Sequence, residues 1–257
     1  MVGKERFPGH ILKLGVFVLF CITVSGTKFK CYKKEKVGWE PAAAIESLLK
    51  YHGSEVSQEQ IIKKVEGKKR VYIYKVMSFI EEKGLEPISF KGSTEVIDMI
   101  LEKGKPVLLL QWASKGLKKP YFRVVTKRKK DKYYLCEPCA GKPIKLKRKK
   151  LEQLWKGGKN WALIIKRPDE ESVVRKDEYY YRDKALLAIY SGDLERAKKF
   201  LKKTSNPSEE ALRCLKGKDS KCLNEILQNS LYAIGLDKKE EDDFISLFIT
   251  LFIAAIN

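Results

Sequence analysis

Histidine is nearly missing from this sequence: His10 and His52 are the only two in 257 residues. Loss of the first 26 residues would leave one imidazole, too few for a multi-histidine metal site. Acidic residues are also short, with 33 Asp+Glu against 53 Lys+Arg and a net charge of +20. Of that excess, +18 lies beyond residue 26. Such a balance favours anionic partners (lipid headgroups, cell-wall polymers or nucleic acid), or else reflects a Lys/Glu-rich surface of thermophile type. Apolar runs are short as well. Neither Ile11–Val24 nor Phe244–Ile256 reaches the roughly 20 residues of a membrane-spanning helix. No Gly-rich, aromatic-interleaved nucleic-acid motif appears, so nucleic acid is not an expected partner.

With 44% apolar and 33% charged residues the chain is long and apolar enough to fold. Residues 1–26 read as a signal peptide or N-terminal anchor. Lys4 and Arg6 lead, an apolar stretch follows, and Val24-Ser25-Gly26 supplies small residues for cleavage. Cys21 invites a lipoprotein reading, but the bulky Phe20 before it argues against a lipobox. The expected location is extracytoplasmic, periplasmic or cell-surface, where thiols tend to pair. Five cysteines follow: Cys31, Cys136, Cys139, Cys214 and Cys222. The expected bridges are Cys136 with Cys139, across Glu137-Pro138, and Cys214 with Cys222, leaving Cys31 over. The Cys-x-x-Cys could instead be a redox pair or half a metal site. Zinc is the weakest of these, since neither histidine nor a second such pair is near. No cofactor and no metal are expected.

Helix signals come first. Pro41–Tyr51 carries apolar residues at 3,4 spacing and closes at Gly53; Ser57–Val65 opens on a capping box with Gln60. Tyr74–Lys83 and Glu95–Glu102 stop at Gly84 and Gly104. Strand signals lie at Leu85–Phe90, Pro106–Gln111, Tyr121–Lys127, Lys132–Glu137 and Trp161–Lys166. The Lys142–Lys150 run reads as a solvated face or an anion-binding edge. This order predicts an α+β domain over 27–167. Residues 168–257 read as all-α. A helix pair, Asp177–Tyr190 and Asp193–Lys203, has tetratricopeptide-like small-residue spacing over Leu186–Ala197. Ser208–Leu215 and Lys221–Leu231 form a shorter pair, and Phe244–Ile256 a last apolar helix.

The segment Trp39-Glu40-Pro41-Ala42-Ala43-Ala44, then Tyr51-His52-Gly53, resembles the nucleophile motif of the bacteriocin-processing, double-glycine, papain-like cysteine peptidases, Cys-Gly-Pro-Ala-Ala-Leu ending in Tyr-Tyr-Gly. Pro106–Gln111 is similar to the strand before that family's histidine. Tyr121-Phe122-Arg123-Val124-Val125 is similar to its His-aromatic-x-Val-Val strand, and Glu137-Pro138 to its Asp-Pro. Leu151–Trp155 and Trp161-Ala162-Leu163 resemble its closing segments. The likeness covers about half the chain and implies a papain-like fold followed by tetratricopeptide-like helices.

It also exposes four departures. Trp39 stands at the nucleophile position, Tyr121 at the base, Glu137 at the orienting aspartate, and Lys33 at the oxyanion glutamine. Indole cannot attack a carbonyl, and a phenol titrating near pH 10 is a poor base at neutral pH. His52 ends the helix that starts near Pro41, about 18 Å along its axis from Trp39, too far to replace the base. It reads as a C-terminal residue favoured by the helix dipole. The expectation is a non-catalytic peptidase-like protein that binds a peptide or protein partner. Its groove would use Trp39, Trp112, Tyr121 and Glu137. The alternatives are a thiol enzyme, working at Cys136/Cys139 or as an unrecognised hydrolase, and a basic adaptor for an anionic envelope surface.

Overall fold

The structure, a computed structural model, describes residues 28–65, 71, 73–117, 119–191, 193–201 and 203. Three helices lead: α1 (Glu40–Tyr51), α2 (Gln58–Val65) and α3 (Ile73–Glu82). Strand β1 (Glu86–Lys91) and α4 (Thr94–Glu102) follow. Then come β2 (Val107–Trp112), β3 (Pro120–Lys129), β4 (Lys132–Glu137) and β5 (Lys142–Lys147). Helix α5 (Arg148–Trp155) and a single 3-10 turn at Lys156–Gly158 lead into β6 (Trp161–Lys166). Helices α6 (Glu178–Tyr190) and α7 (Leu194–Leu201) complete the described elements.

The six strands form one sheet in the order β1-β6-β2-β3-β4-β5, every neighbouring pair antiparallel. The fold is therefore α+β, as the order of helix and strand signals predicts. Strands β2 to β5 run as a meander, and β6 returns to lie between β1 and β2. Among the described residues the expected elements form within a residue or two of their predicted limits, with two additions. Lys142–Lys147 is a paired strand, β5, rather than a plain charged face, and its alternation places Ile144 and Leu146 inward of the lysines. Helix α5 starts at Arg148, ahead of the Leu151–Trp155 segment.

Alternation along the strands builds two cores. On one face Leu108, Leu110, Phe122, Val124, Leu163 and Ile165 pack against α1, α2 and α3. Ala42, Ala43 and Ala44 are fully buried and bring the α1 backbone close to the sheet. On the other face Leu109, Val125, Tyr133, Leu135 and Ile164 pack with Ile97, Ile100, Leu151 and Trp155 of α4 and α5. Asp98 of α4 accepts from the Tyr133 hydroxyl at 2.8 Å and pairs with Arg128 and Arg148 at 2.6 and 2.7 Å. The capping box forms: the Ser57 amide donates to Gln60 Oε1 at 3.1 Å and the Gln60 amide to Ser57 Oγ at 3.2 Å.

Helix α6 is fastened to the sheet. Asp177 accepts the Tyr179 amide at 2.9 Å with one carboxylate oxygen and the Lys91 amide at 2.9 Å with the other. Trp161 Nε1 donates to buried Asp183 at 3.0 Å, and Lys184 pairs with Glu81 of α3. Asp193 caps α7 through the Arg196 amide at 3.0 Å. The shorter helix pair, the last apolar helix, the Cys214–Cys222 bridge and the N-terminal export segment lie outside the described residues. Among the described residues no helix is long and apolar enough to cross a membrane.

Candidate functional site

A strap of chain, residues 28–36, runs along α1 from Phe29 beside Tyr51 to Lys34 beside Glu40, and meets the turn after β4. The Tyr32 amide donates to Ser47 Oγ at 3.0 Å, and the Lys34 amide to the Pro138 carbonyl at 2.8 Å. Gln58 of α2 accepts the Glu35 amide at 2.9 Å and donates to the Lys33 carbonyl at 2.7 Å. Cys31 on this strap is disulfide-bonded to Cys136 of β4, with Cα atoms 5.3 Å apart. This corrects the expected Cys136–Cys139 bridge. Cys136 shares the face of Val124, its register partner, and lies in the core beneath α1, where the strap delivers Cys31. Cys139 is the exposed free thiol, and it turns instead toward β3.

Trp39 is the N-cap residue of α1, with Pro41 in the first turn and no side-chain cap hydrogen bond. Its half-buried ring packs against the α1–α3 core, with the Lys36 ammonium 4.6 Å from the ring centroid. Glu40, the next residue, suits the positive end of the helix and binds Lys34 Nζ at 2.5 Å. That bond raises the Lys34 pKa. Burial works to raise the Glu40 carboxyl, but the Lys34 hydrogen bond and charge overcome it and hold the group below its ordinary value.

From Glu40 the polar contacts run on across the cleft. Cys139 Sγ lies 3.8 Å from Glu40 Oε1 and 3.0 Å from the Tyr121 hydroxyl. Tyr121 Oη lies 2.5 Å from Glu137 Oε1. A phenol has one hydrogen; donated to the carboxylate, it leaves the oxygen lone pairs to accept from the thiol. Burial, then the bonds to Cys139 and Glu137, push the Tyr121 pKa far above its ordinary value, so the phenol stays neutral. Arg123 completes the cluster. Its Nε and Nη2 donate to Glu137 Oε2 at 2.7 and 2.6 Å, Nη2 reaches the Ala113 carbonyl at 3.2 Å, and the guanidinium stacks on Tyr121 at 4.4 Å. Arg123 Nη1 and both amide atoms of buried Gln111, the register partner of Tyr121, have no protein partner.

Of the predicted groove residues, the structure brings Tyr121 and Glu137 into direct contact and sets Trp39 beside them through Glu40. Trp112 pairs with Pro120, one position out of step with Tyr121, so its indole leaves the sheet on the other side. It covers Gly157, where a Cβ would strike the ring. Lys33 contributes its carbonyl, and its Cβ abuts Gly141 of the turn after β4. Cys139 joins the cluster beside Glu137, as its place in the Cys-x-x-Cys suggests, and Lys34, Glu40 and Arg123 belong to it although sequence reasoning does not single them out. Each stands within one or two positions of a motif residue, and that adjacency is the only signal they leave.

His52, away from this cluster, caps α1 through its backbone amide, bonded to Leu49 at 3.0 Å. Burial depresses its imidazole to about 4, with Lys105 and Arg167 assisting and Glu170 opposing. A neutral ring gains nothing from the helix dipole, so packing rather than charge holds it there. Among the described residues no group of histidine, cysteine and carboxylate side chains could hold a metal ion.

The family model of the peptidase C39 family matches residues 40–170, just over half of the chain. The chain belongs to that family. Solved structures similar to this C39 chain include the peptidase domain of Streptococcus ComA, a bi-functional ABC transporter involved in a quorum-sensing pathway. It is 16% identical, with a TM-score of 0.47, covering 54% of this chain and 98% of that one. A C39-like peptidase from Bacillus anthracis is 12% identical, with a TM-score of 0.47, covering 56% and 97%. The N-terminal C39-like domain of a toxin-secretion ATP-binding protein from Vibrio parahaemolyticus is 15% identical, with a TM-score of 0.40, covering 50% and 96%. No curated protein matches the chain.

Proposed function

We propose that this C39 domain is a non-catalytic, exported binding or scaffolding module that recognises a peptide or protein partner through the former peptidase cleft. One observation carries the reading: the residue at the base position, Tyr121, is a neutral phenol held between a carboxylate and a thiol. Peptide hydrolysis by this family's route needs a thiolate and a proton acceptor in contact. Trp39 offers no sulfur, and Glu137 is bound to Arg123 rather than orienting an imidazole. The cleft instead presents aromatic and charged side chains to a ligand: Trp39, Tyr121, Glu137, and the Lys34–Glu40 pair.

A second reading, a thiol enzyme, has Cys139 in its favour, since that exposed sulfur lies 3.0 Å from the residue at the base position. It lacks a base: the phenol is held neutral, and the Glu40 carboxylate 3.8 Å from the sulfur is paired with Lys34. The test compares the wild type with Trp39→Ala and Cys139→Ser in two assays. The wild type leaves double-glycine leader peptides and casein intact, and it captures a partner from envelope fractions that Trp39→Ala captures less well. Time-dependent cleavage abolished by Cys139→Ser would overturn the binding reading in favour of the thiol enzyme.

A further inference from the structure

The end of the β3–β4 hairpin away from Tyr121 carries lysines in rows. Cross-strand register sets Lys129, Lys132 and Lys147 side by side, and Lys127, Tyr134 and Lys145 side by side in the next row. The bulge between Val125 and Lys127 shifts the alternation of β3 by one residue, which brings Lys127 and Lys129 onto the face of Lys132 and Tyr134. Lys145 and Lys147 join them there, because Ile144 and Leu146 point to the other face. All five lysines are exposed. Tyr134 is half-buried among them, with Lys145 Nζ 5.6 Å from its ring centroid.

Strand geometry puts neighbours in such an array about 5 Å apart across strands and about 7 Å apart along them. Like charges directly opposite one another weaken a sheet, and nothing here offsets them. Among the described residues none of the five ammonium groups is in an ion pair. The neighbouring arginines behave otherwise: Arg128, on the opposite face, and Arg148 both bind Asp98. Protection of a sheet margin accounts for lysines on β5, the edge strand, but not for Lys127, Lys129 and Lys132 on the two strands inside it. An external anionic surface would remove the repulsion. The strap adds charge at the same end. It runs in the direction of β4, from Cys31 bonded to Cys136 to the Lys34 amide at the Pro138 carbonyl, so exposed Lys28 and Lys30 lie back toward Tyr134. Three residues separate Lys28 from Val24, where the apolar run ends, a reach of at most about 14 Å.

We propose that this lysine face docks on a bilayer surface of anionic phospholipid. The chemistry of the face selects that occupant. Ammonium groups on flexible stems are point charges that suit a shifting layer of headgroups. Tyrosine, a ring with a polar tip, is favoured at the boundary between membrane and water. A nucleic-acid duplex is read by arginine forks or by an element that enters a groove; this face is a flat set of lysines with no arginine among them. It lies at the opposite end of β3 from Tyr121, so docking is independent of what the cleft binds.

The test measures co-sedimentation of the full chain with phosphatidylcholine vesicles containing phosphatidylglycerol, against vesicles of phosphatidylcholine alone. Binding should need the anionic lipid and weaken as added salt shortens the screening length. At about fivefold per lysine, Lys129→Gln/Lys132→Gln/Lys147→Gln should weaken it by about 100-fold. Lys63→Gln/Lys83→Gln/Lys156→Gln removes the same charge from exposed positions on other elements and should change binding by less than about fivefold. Both variants should keep the circular dichroism of the wild type. Absence of binding to the anionic vesicles, equal effects of the two variants, or equal binding to phosphatidylcholine alone (the mark of apolar insertion) would overturn the proposal. So would tighter binding to duplex DNA than to the vesicles at equal phosphate concentration.

Discussion

Removing the Cys31–Cys136 bond should cost far more than removing a local bridge. The two cysteines are separated by 105 residues, and the bond ties the strap to β4, next to the edge strand of the sheet. In the chain-entropy treatment, constraining a loop of that length in the unfolded chain is worth about 5 kcal/mol at 25 °C, whereas a four-residue Cys-x-x-Cys loop is worth about 2 kcal/mol. The difference of about 3 kcal/mol separates the two connectivities. Cys31→Ser and Cys136→Ser should each lower the unfolding free energy by about 3–5 kcal/mol, with strain and residual unfolded structure setting where in that range the value falls. Cys139→Ser should leave it within about 1 kcal/mol of the wild type, since that thiol is exposed and unbonded. Urea unfolding followed by far-ultraviolet circular dichroism, with and without reductant, gives all four values. A wild type whose midpoint is unmoved by reductant, or a Cys139→Ser loss equal to that of Cys31→Ser, would refute the argument.

His52 titrates near 4 when folded and near 6.5 when unfolded, so the unfolded chain binds the extra proton first. Its contribution holds above pH 6.5 and is lost as pH falls toward 4, by up to about 3 kcal/mol; thermal midpoints of wild type and His52→Phe should diverge across that window. Arg123→Met strands Glu137 beneath the cleft and should cost about 3–5 kcal/mol, with Glu137→Gln added in the same chain recovering part of it. Equal losses in the single and double variants, measured by urea unfolding, would count against a charge-pair origin. Gly158→Ala places a methyl group into the Leu110 carbonyl and should cost about 1–3 kcal/mol in the same assay.

Much of this architecture is legible because its signals are local. Ser57 and Gln60 announce α2 by a reciprocal cap, Asp177 and Asp193 start the last two described helices, and Gly84 and Gly104 end helices where the backbone takes positive φ. Strand β5 escapes because only Ile144 and Leu146 are apolar among lysines, too few for alternation to stand out from a charged run. The site is legible only in part. Motif order locates Tyr121 and Glu137, because a family likeness carries position. Arg123 joins them through the β2–β3–β4 register, and Glu40 and Lys34 through the way the strap meets α1; neither is encoded by spacing. The Cys31–Cys136 bond spans 105 residues, so proximity in sequence favours Cys139 as the partner, and only the sheet register sets which way Cys136 points.

The two edges of the sheet bear on how a partner can be held. At one margin β5 shows exposed Lys142, Lys145 and Lys147 and a proline at 143, which has no amide hydrogen to give. At the other margin the Lys91 amide of β1 is already taken by Asp177, and α6 lies alongside. An extended chain laid against either border would meet ammonium groups, a missing donor or an occupied one. Association by strand addition is thereby discouraged, both for a ligand and for a second copy of this protein. Under the proposed binding role, recognition would fall to side chains, and a partner would have to match their shape and charge rather than merely supply a backbone.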